Sequence, residues 1–100
     1  MYDASNIRKL KRFAELTPGA WQAFVDFDKA VMADGAIPSR TKELLAIAVA
    51  MTTQCPYCID IHTQRAKAAG CSEAEIAEAV MVAAALRAGG AITHGTHSMD

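Results

Sequence analysis

Apolar residues recur at helical spacing along this chain, and no stretch alternates apolar with polar residues over a useful length, so the sequence predicts an all-α fold. Ile7, Leu10, Phe13 and Leu16 form the first stripe and predict a helix over about 5–16. Thr17-Pro18-Gly19 interrupts it. Pro18 suits the first turn of a second helix, which carries Trp21, Phe24, Val25 and Val31 and ends near Asp34-Gly35. Residues 35–38 read as a connector. Ser39 is placed to cap a third helix running to about Thr53, and Pro56 opens a fourth with Cys55 at or beside its N-cap. Gly70 suits the left-handed residue that ends that helix. Ser72 and Glu75 form a capping box for a fifth, over about 73–88. Gly89-Gly90 is expected to halt or bend it, leaving one further turn for the last ten residues.

The 100 residues are expected to make one domain, 1–100, and show no internal repeat or low-complexity segment. A hydrophobic content of 52% rules against disorder, while a domain this small cannot bury that much apolar surface alone, so an oligomer is expected. The net charge of −1 supplies no footprint for nucleic acid or an anionic membrane. Arg8, Lys9, Lys11 and Arg12 alternate with apolar residues at helical spacing and read as a solvated helix face. The apolar runs 44–53 and 79–86 are shorter than a bilayer span, so both are expected as helices buried on most sides. The first residues lack a charged-then-apolar signal segment, and a cytoplasmic location is expected. Three cysteines in that setting argue against a disulfide framework and leave reactive or metal-binding thiols.

The chemistry concentrates in Cys55-Pro56-Tyr57-Cys58 and His62. Two cysteines three apart at a helix start can close a disulfide across the first turn. The unpaired N–H groups and the positive dipole end there favour a thiolate. Cys58 and His62, four apart, share a helix face, so the imidazole can take the thiol proton. Glu43 has two readings: a carboxylate exposed early in its helix, or a partner of this group. It lies about 12 residues before the turn, roughly 15–18 Å along a helix, so local geometry does not dictate contact. Three alternatives compete for the cysteine pair. One is a zinc site completed by His62 and His94 or His97, which lacks a second tight ligand pair. Another is inert buried thiols. The third, a thioredoxin-type fold, needs partner strands that this chain does not offer. Cys71, between Gly70 and Ser72, is expected as a small residue at a surface or interface turn, and His94 and His97 as tail or interface residues.

Glu43, eleven residues, Cys55-Pro56-Tyr57-Cys58, three residues and His62 together resemble the core motif of alkylhydroperoxidase D (AhpD), in the carboxymuconolactone decarboxylase-like superfamily. The flanks at 42–50, 65–70 and 72–76 agree, so the resemblance covers roughly residues 21–95. It implies a helical bundle of about five to six helices, in which an antiparallel pair carries Cys-x-x-Cys at a helix N-terminus. It implies a homo-oligomer, a trimer or hexamer, acting as a two-cysteine peroxidase or disulfide reductase without a bound cofactor or metal. Cys58 would attack the hydroperoxide and become a sulfenic acid, Cys55 would condense with it, and His62 with Glu43 would relay protons. A dithiol donor, such as a lipoyl-bearing protein, would restore the thiols. Position at the helix start, by contrast, favours Cys55 as the acidic, attacking thiol in disulfide exchange. The chain is expected to be the core unit without the N-terminal extension of larger members, and Tyr57 stands where some carry a second histidine. The decarboxylase branch generally lacks the cysteine pair, so lactone decarboxylation is not expected.

Overall fold

A computed structural model describes residues 2–100, and every regular element among them is helical, with no strand among the described residues. The helices are α1 (Lys11–Leu16), α2 (Pro18–Met32), α3 (Ser39–Thr53), α4 (Pro56–Ala68) and α5 (Glu73–Gly95), with 3-10 segments at Ala4–Leu10 and Thr96–Ser98. They fall into two compact units, one ending at Ser39 and the other spanning Arg40–Asp100.

In the first unit, the single helix expected over 5–16 divides into a 3-10 segment followed by α1. The cause lies at Asp3, whose carboxylate accepts from the Ser5 N–H at 2.9 Å while its carbonyl accepts from Asn6 N–H, also at 2.9 Å. That i to i+3 closure starts the chain in the tighter helix. Thr17 closes α1 through its N–H and hydroxyl, both on Phe13 O, and Pro18 opens α2 as its position predicts. Phe13 stacks on Trp21, which in turn packs against Phe24. Ser39 is the first residue of α3 rather than the cap before it; its own N–H donates to the Asp34 carboxylate at 2.6 Å.

In the second unit, Ile47 of α3 and Ala66 of α4 pack with Cys71, and Leu44, Met51, Ile76 and Val80 flank them. Two matching turns arrange these helices. Each places a left-handed residue after the helix and sends the next N–H back to the carbonyl five residues earlier. At the end of α4 these are Gly70, with φ +90°, and the Cys71 N–H on Ala66 O at 2.9 Å. At the end of α3 they are Gln54, with φ +56°, and the Cys55 N–H on Ala50 O at 3.2 Å. Arg40 braces the corner between α4 and α5, donating to Gly70 O at 3.2 Å and to Glu75 Oε1 at 2.6 Å. Glu75 also completes the predicted capping box with Ser72.

The structure corrects three sequence expectations here. Gly89-Gly90 does not stop α5, which continues to Gly95. Both glycines adopt ordinary helical geometry, and their cost of about 1 kcal/mol each against alanine is outweighed in a helix otherwise rich in strong helix formers. The run 79–86 is not buried on most sides: Ala83 faces inward, while Met81, Val82 and Leu86 are exposed. The run 44–53 is likewise one-sided, with Ile47 and Ala50 inside and Leu45 and Val49 outside. Because α5 does not break at its glycines, residues Glu73–Ser98 are long and apolar enough to cross a membrane by length and composition, where the run 79–86 alone is not.

Candidate functional site

Cys55 sits at the N-cap of α4 because the left-handed turn at Gln54 ends α3, and Pro56, lacking an N–H, is suited to the first helical position. The Cys55 backbone is extended, and its sulfur accepts the Cys58 N–H at 3.3 Å. This satisfies one of the donors that a helix start leaves open. Cys58, in the first turn, brings its Sγ within 2.6 Å of Cys55 Sγ. Both thiols are free and half-buried.

The two sulfurs are not equivalent. Cys55 accepts the Cys58 thiol proton and the Cys58 N–H, which holds its pKa below the ordinary thiol value. Cys58, as the donor, is pushed up to about 11, first by its bond to Cys55 and then by burial. When the pair loses one proton, the negative charge therefore belongs on Cys55 and the remaining proton on Cys58.

One turn beyond Cys58, His62 points its Nδ1 at Glu43 Oε2, 2.7 Å away. Glu43 is only 7% exposed and is the one buried charged residue among those described. Its other reading, a solvated carboxylate near the helix start, is thus overturned. The contact forms because α4 turns back along α3 after Gln54, returning His62 to the level of Glu43. With Glu43 ionised, Nδ1 is the donor, and Nε2 keeps a lone pair able to accept a proton.

Cys71 is the residue whose placement differs most from expectation. It is buried in the core with Ile47 and Ala66, its Sγ 3.8 Å from Arg40 O, instead of lying at a surface turn. The turn after α4 sends this residue inward, where a small apolar side chain packs against Ala66. His94 and His97 lie at the end of α5 and in the following 3-10 turn, with their rings 5.4 Å apart. No group of three or more His, Cys, Asp or Glu placed to hold a metal ion occurs among the described residues. The sequence reading gave no role to Arg87, which reaches from α5 to donate to Thr52 O at 2.7 Å, next to the turn that presents Cys55. Nothing in the local sequence signals that contact.

The model of the carboxymuconolactone decarboxylase family matches residues 18–99. The chain belongs to the carboxymuconolactone decarboxylase family. A similar fold occurs in a family member from Legionella pneumophila crystallised in its apo form, at a TM-score of 0.78 and 30% identity over 82% of this chain and 73% of that one. A crystal structure of a protein from Methanobacterium thermoautotrophicum superposes at a TM-score of 0.83 with 34% identity, covering 88% of this chain and 99% of the other. Among sequences, an uncharacterised protein of the cox locus of Paracoccus denitrificans is 47% identical over 77% of this chain and 69% of its own length. An uncharacterised protein from Cupriavidus necator is 31% identical over 75% of this chain and 66% of its own length. The all-helical fold is thus shared with the family.

Proposed function

We propose that this protein is a thiol-dependent hydroperoxide reductase that cycles through a Cys55–Cys58 disulfide. The observation that carries the reading is the dithiol at the start of α4, followed one helical turn later by a histidine held on a buried glutamate. Family membership alone does not choose this chemistry, since the family name refers to a decarboxylation.

Peroxide reduction needs a thiolate, a proton for the leaving oxygen, and a second thiol. In the proposed cycle Cys58 gives its proton to Cys55 Sγ or to His62, and the Cys58 thiolate attacks the outer oxygen of the hydroperoxide. The O–O bond breaks, the alkoxide takes up a proton to leave as an alcohol, and Cys58 is left as a sulfenic acid. The Cys55 thiolate then attacks Cys58 Sγ, the S–O bond breaks, and the departing hydroxide leaves as water after protonation. The peroxide gains two electrons and the dithiol loses two. An external dithiol, such as a lipoyl group, returns them by exchange. It attacks Cys58 Sγ and expels Cys55, the better leaving group because its thiolate is the more stable. Glu43 keeps the His62 ring oriented throughout. The exposed apolar residues of α5, including Leu86 and Ile92, support assembly with further copies of this chain, and light scattering at micromolar concentration tests that by showing a multiple of 10.6 kDa.

The direct test is consumption of an organic hydroperoxide by pre-reduced protein, with intact-mass analysis before and after. Loss of two hydrogens mapped to a Cys55–Cys58 bridge, faster than oxidation of a free thiol, supports the proposal. Absence of a bridge, or turnover unaffected by Cys58→Ser, removes it.

A further inference from the structure

An α-helix leaves its last carbonyls without partners inside the helix. At the end of α3 the Ala50 carbonyl is met nearby, by the Cys55 N–H at 3.2 Å and the Thr53 hydroxyl at 3.3 Å. The Thr52 carbonyl is met from a distance. Arg87 Nη1, 35 positions along the chain on α5, donates to it at 2.7 Å. The guanidinium therefore sits at the negative end of α3, two residues before Gln54 and three before Cys55.

Gln54 between them occupies the left-handed region at φ +56°, which strains a residue with a Cβ. Such a conformation persists only where its surroundings hold it. Here the Cys55 N–H on Ala50 O closes the turn on one side, and Arg87 on Thr52 O fixes the Thr52–Thr53 peptide that leads into it.

We propose that Arg87 is the positioning residue of the thiol site: by holding the Thr52 carbonyl it maintains the left-handed turn at Gln54, and so keeps Cys55 at the N-cap of α4 with its sulfur on the Cys58 N–H. Arg87 touches no reacting atom. When its bond is lost the turn relaxes, Cys55 Sγ withdraws from the Cys58 N–H, and the charge on that sulfur loses a donor. This role rests on the reading of Cys55 and Cys58 as the redox pair.

Two measurements on wild type, R87M and R87K test it: hydrogen exchange of individual backbone amides, and alkylation of Cys55 against pH with the modified peptide mapped by mass. R87M keeps the aliphatic stem of an exposed residue and removes only the donors; R87Q, with a shorter donor, serves in its place if R87M aggregates. In R87M the Cys55 amide should exchange on the order of fivefold to tenfold faster while the Ile47 and Ala66 amides keep their rates, the loss expected from one charge-assisted hydrogen bond at an exposed site. The Cys55 alkylation midpoint should move to higher pH, and R87K should restore most of both effects. Unchanged Cys55 exchange and alkylation in R87M overturn the proposal. So does faster exchange spread evenly through the helices, because that marks general destabilisation. Should wild-type protein fail to form the Cys55–Cys58 bridge with any oxidant, the redox reading is lost, while the exchange data still report whether Arg87 holds the turn.

Discussion

His62 Nδ1 and Glu43 Oε2 lie 2.7 Å apart, although 19 positions and a helix reversal separate them in the chain. The pair is well shielded, with side-chain exposures of 17% for His62 and 9% for Glu43. A hydrogen bond in such a setting fixes the imidazole, because turning the ring would leave a buried carboxylate without its donor.

Glu43→Ala should therefore lower stability by about 1–3 kcal/mol, since it strips a part-buried ring nitrogen of its acceptor and opens a small void. Glu43→Gln keeps the shape and should lose less. Urea unfolding separates the two. On peroxide turnover both should fall, by roughly 10-fold to 100-fold, the range for losing a group that orients a general base. Turnover at the wild-type rate in Glu43→Ala would show that the pair is structural only.

The acidities of the two thiols predict an order of labelling. At neutral pH, with limiting iodoacetamide, Cys55 should be alkylated ahead of Cys58, and its rate should reach half-maximum at a pH below the ordinary thiol value. Cys58, pushed up to about 11 chiefly by its bond to Cys55, should be labelled only after Cys55. Replacing Cys58 with alanine removes the main donor to the Cys55 sulfur, so the Cys55 midpoint should rise. Peptide mapping at several pH values reads this directly, and equal labelling of both thiols near pH 7 contradicts it.

The two helix-ending turns make a matched pair of stability predictions. Gly70→Ala forces a Cβ into φ +90° and should cost about 1–2 kcal/mol, even though the added methyl would meet nothing within 4 Å. Gln54→Gly relieves the same strain at φ +56° and should be neutral or stabilising by up to about 1 kcal/mol. Thermal melts should show the midpoint falling in Gly70→Ala and holding or rising in Gln54→Gly.

Glu75 is held down to about 2, first by its bond from Arg40 and then by the Ser72 N–H. A carboxyl lowered in the folded state adds stability that is complete above its ordinary value near 4.5 and is lost as pH falls toward 2. Exposure of both partners keeps the effect small. The melting temperature of wild type should thus fall more between pH 4.5 and 2 than that of Glu75→Gln, whose residue 75 does not titrate. Parallel curves would remove the Arg40–Glu75 bridge as a contributor.

Much of this architecture can be read locally. Pro18, Pro56, Gly70 and the Ser72–Glu75 box each act within a turn of themselves, through a fixed φ, a missing N–H, a tolerated left-handed residue or a short side chain facing its own backbone. Cys55 at the N-cap, and the face shared by Cys58 and His62, follow from the same short-range rules. The family was visible in the spacing of four residues. What the chain did not disclose locally depended on contacts between helices. Glycines at 89 and 90 looked like a stop, yet α5 runs through them, because two modest penalties cannot end a helix so rich in strong helix formers. Cys71 looked like a surface residue because a turn in sequence does not reveal which way its last residue points. Packing against Ile47 and Ala66 decided that it points inward. Glu43 reached His62, and Arg87 the carbonyl before the Cys55 turn, only because α4 folds back along α3 and α5 lies beside the α3 end. Sequence alone determined which residues could carry thiol chemistry. The tertiary structure decided which groups orient and hold them, since hydrogen bonds between helices depend on how the helices pack, which no window of neighbouring residues contains.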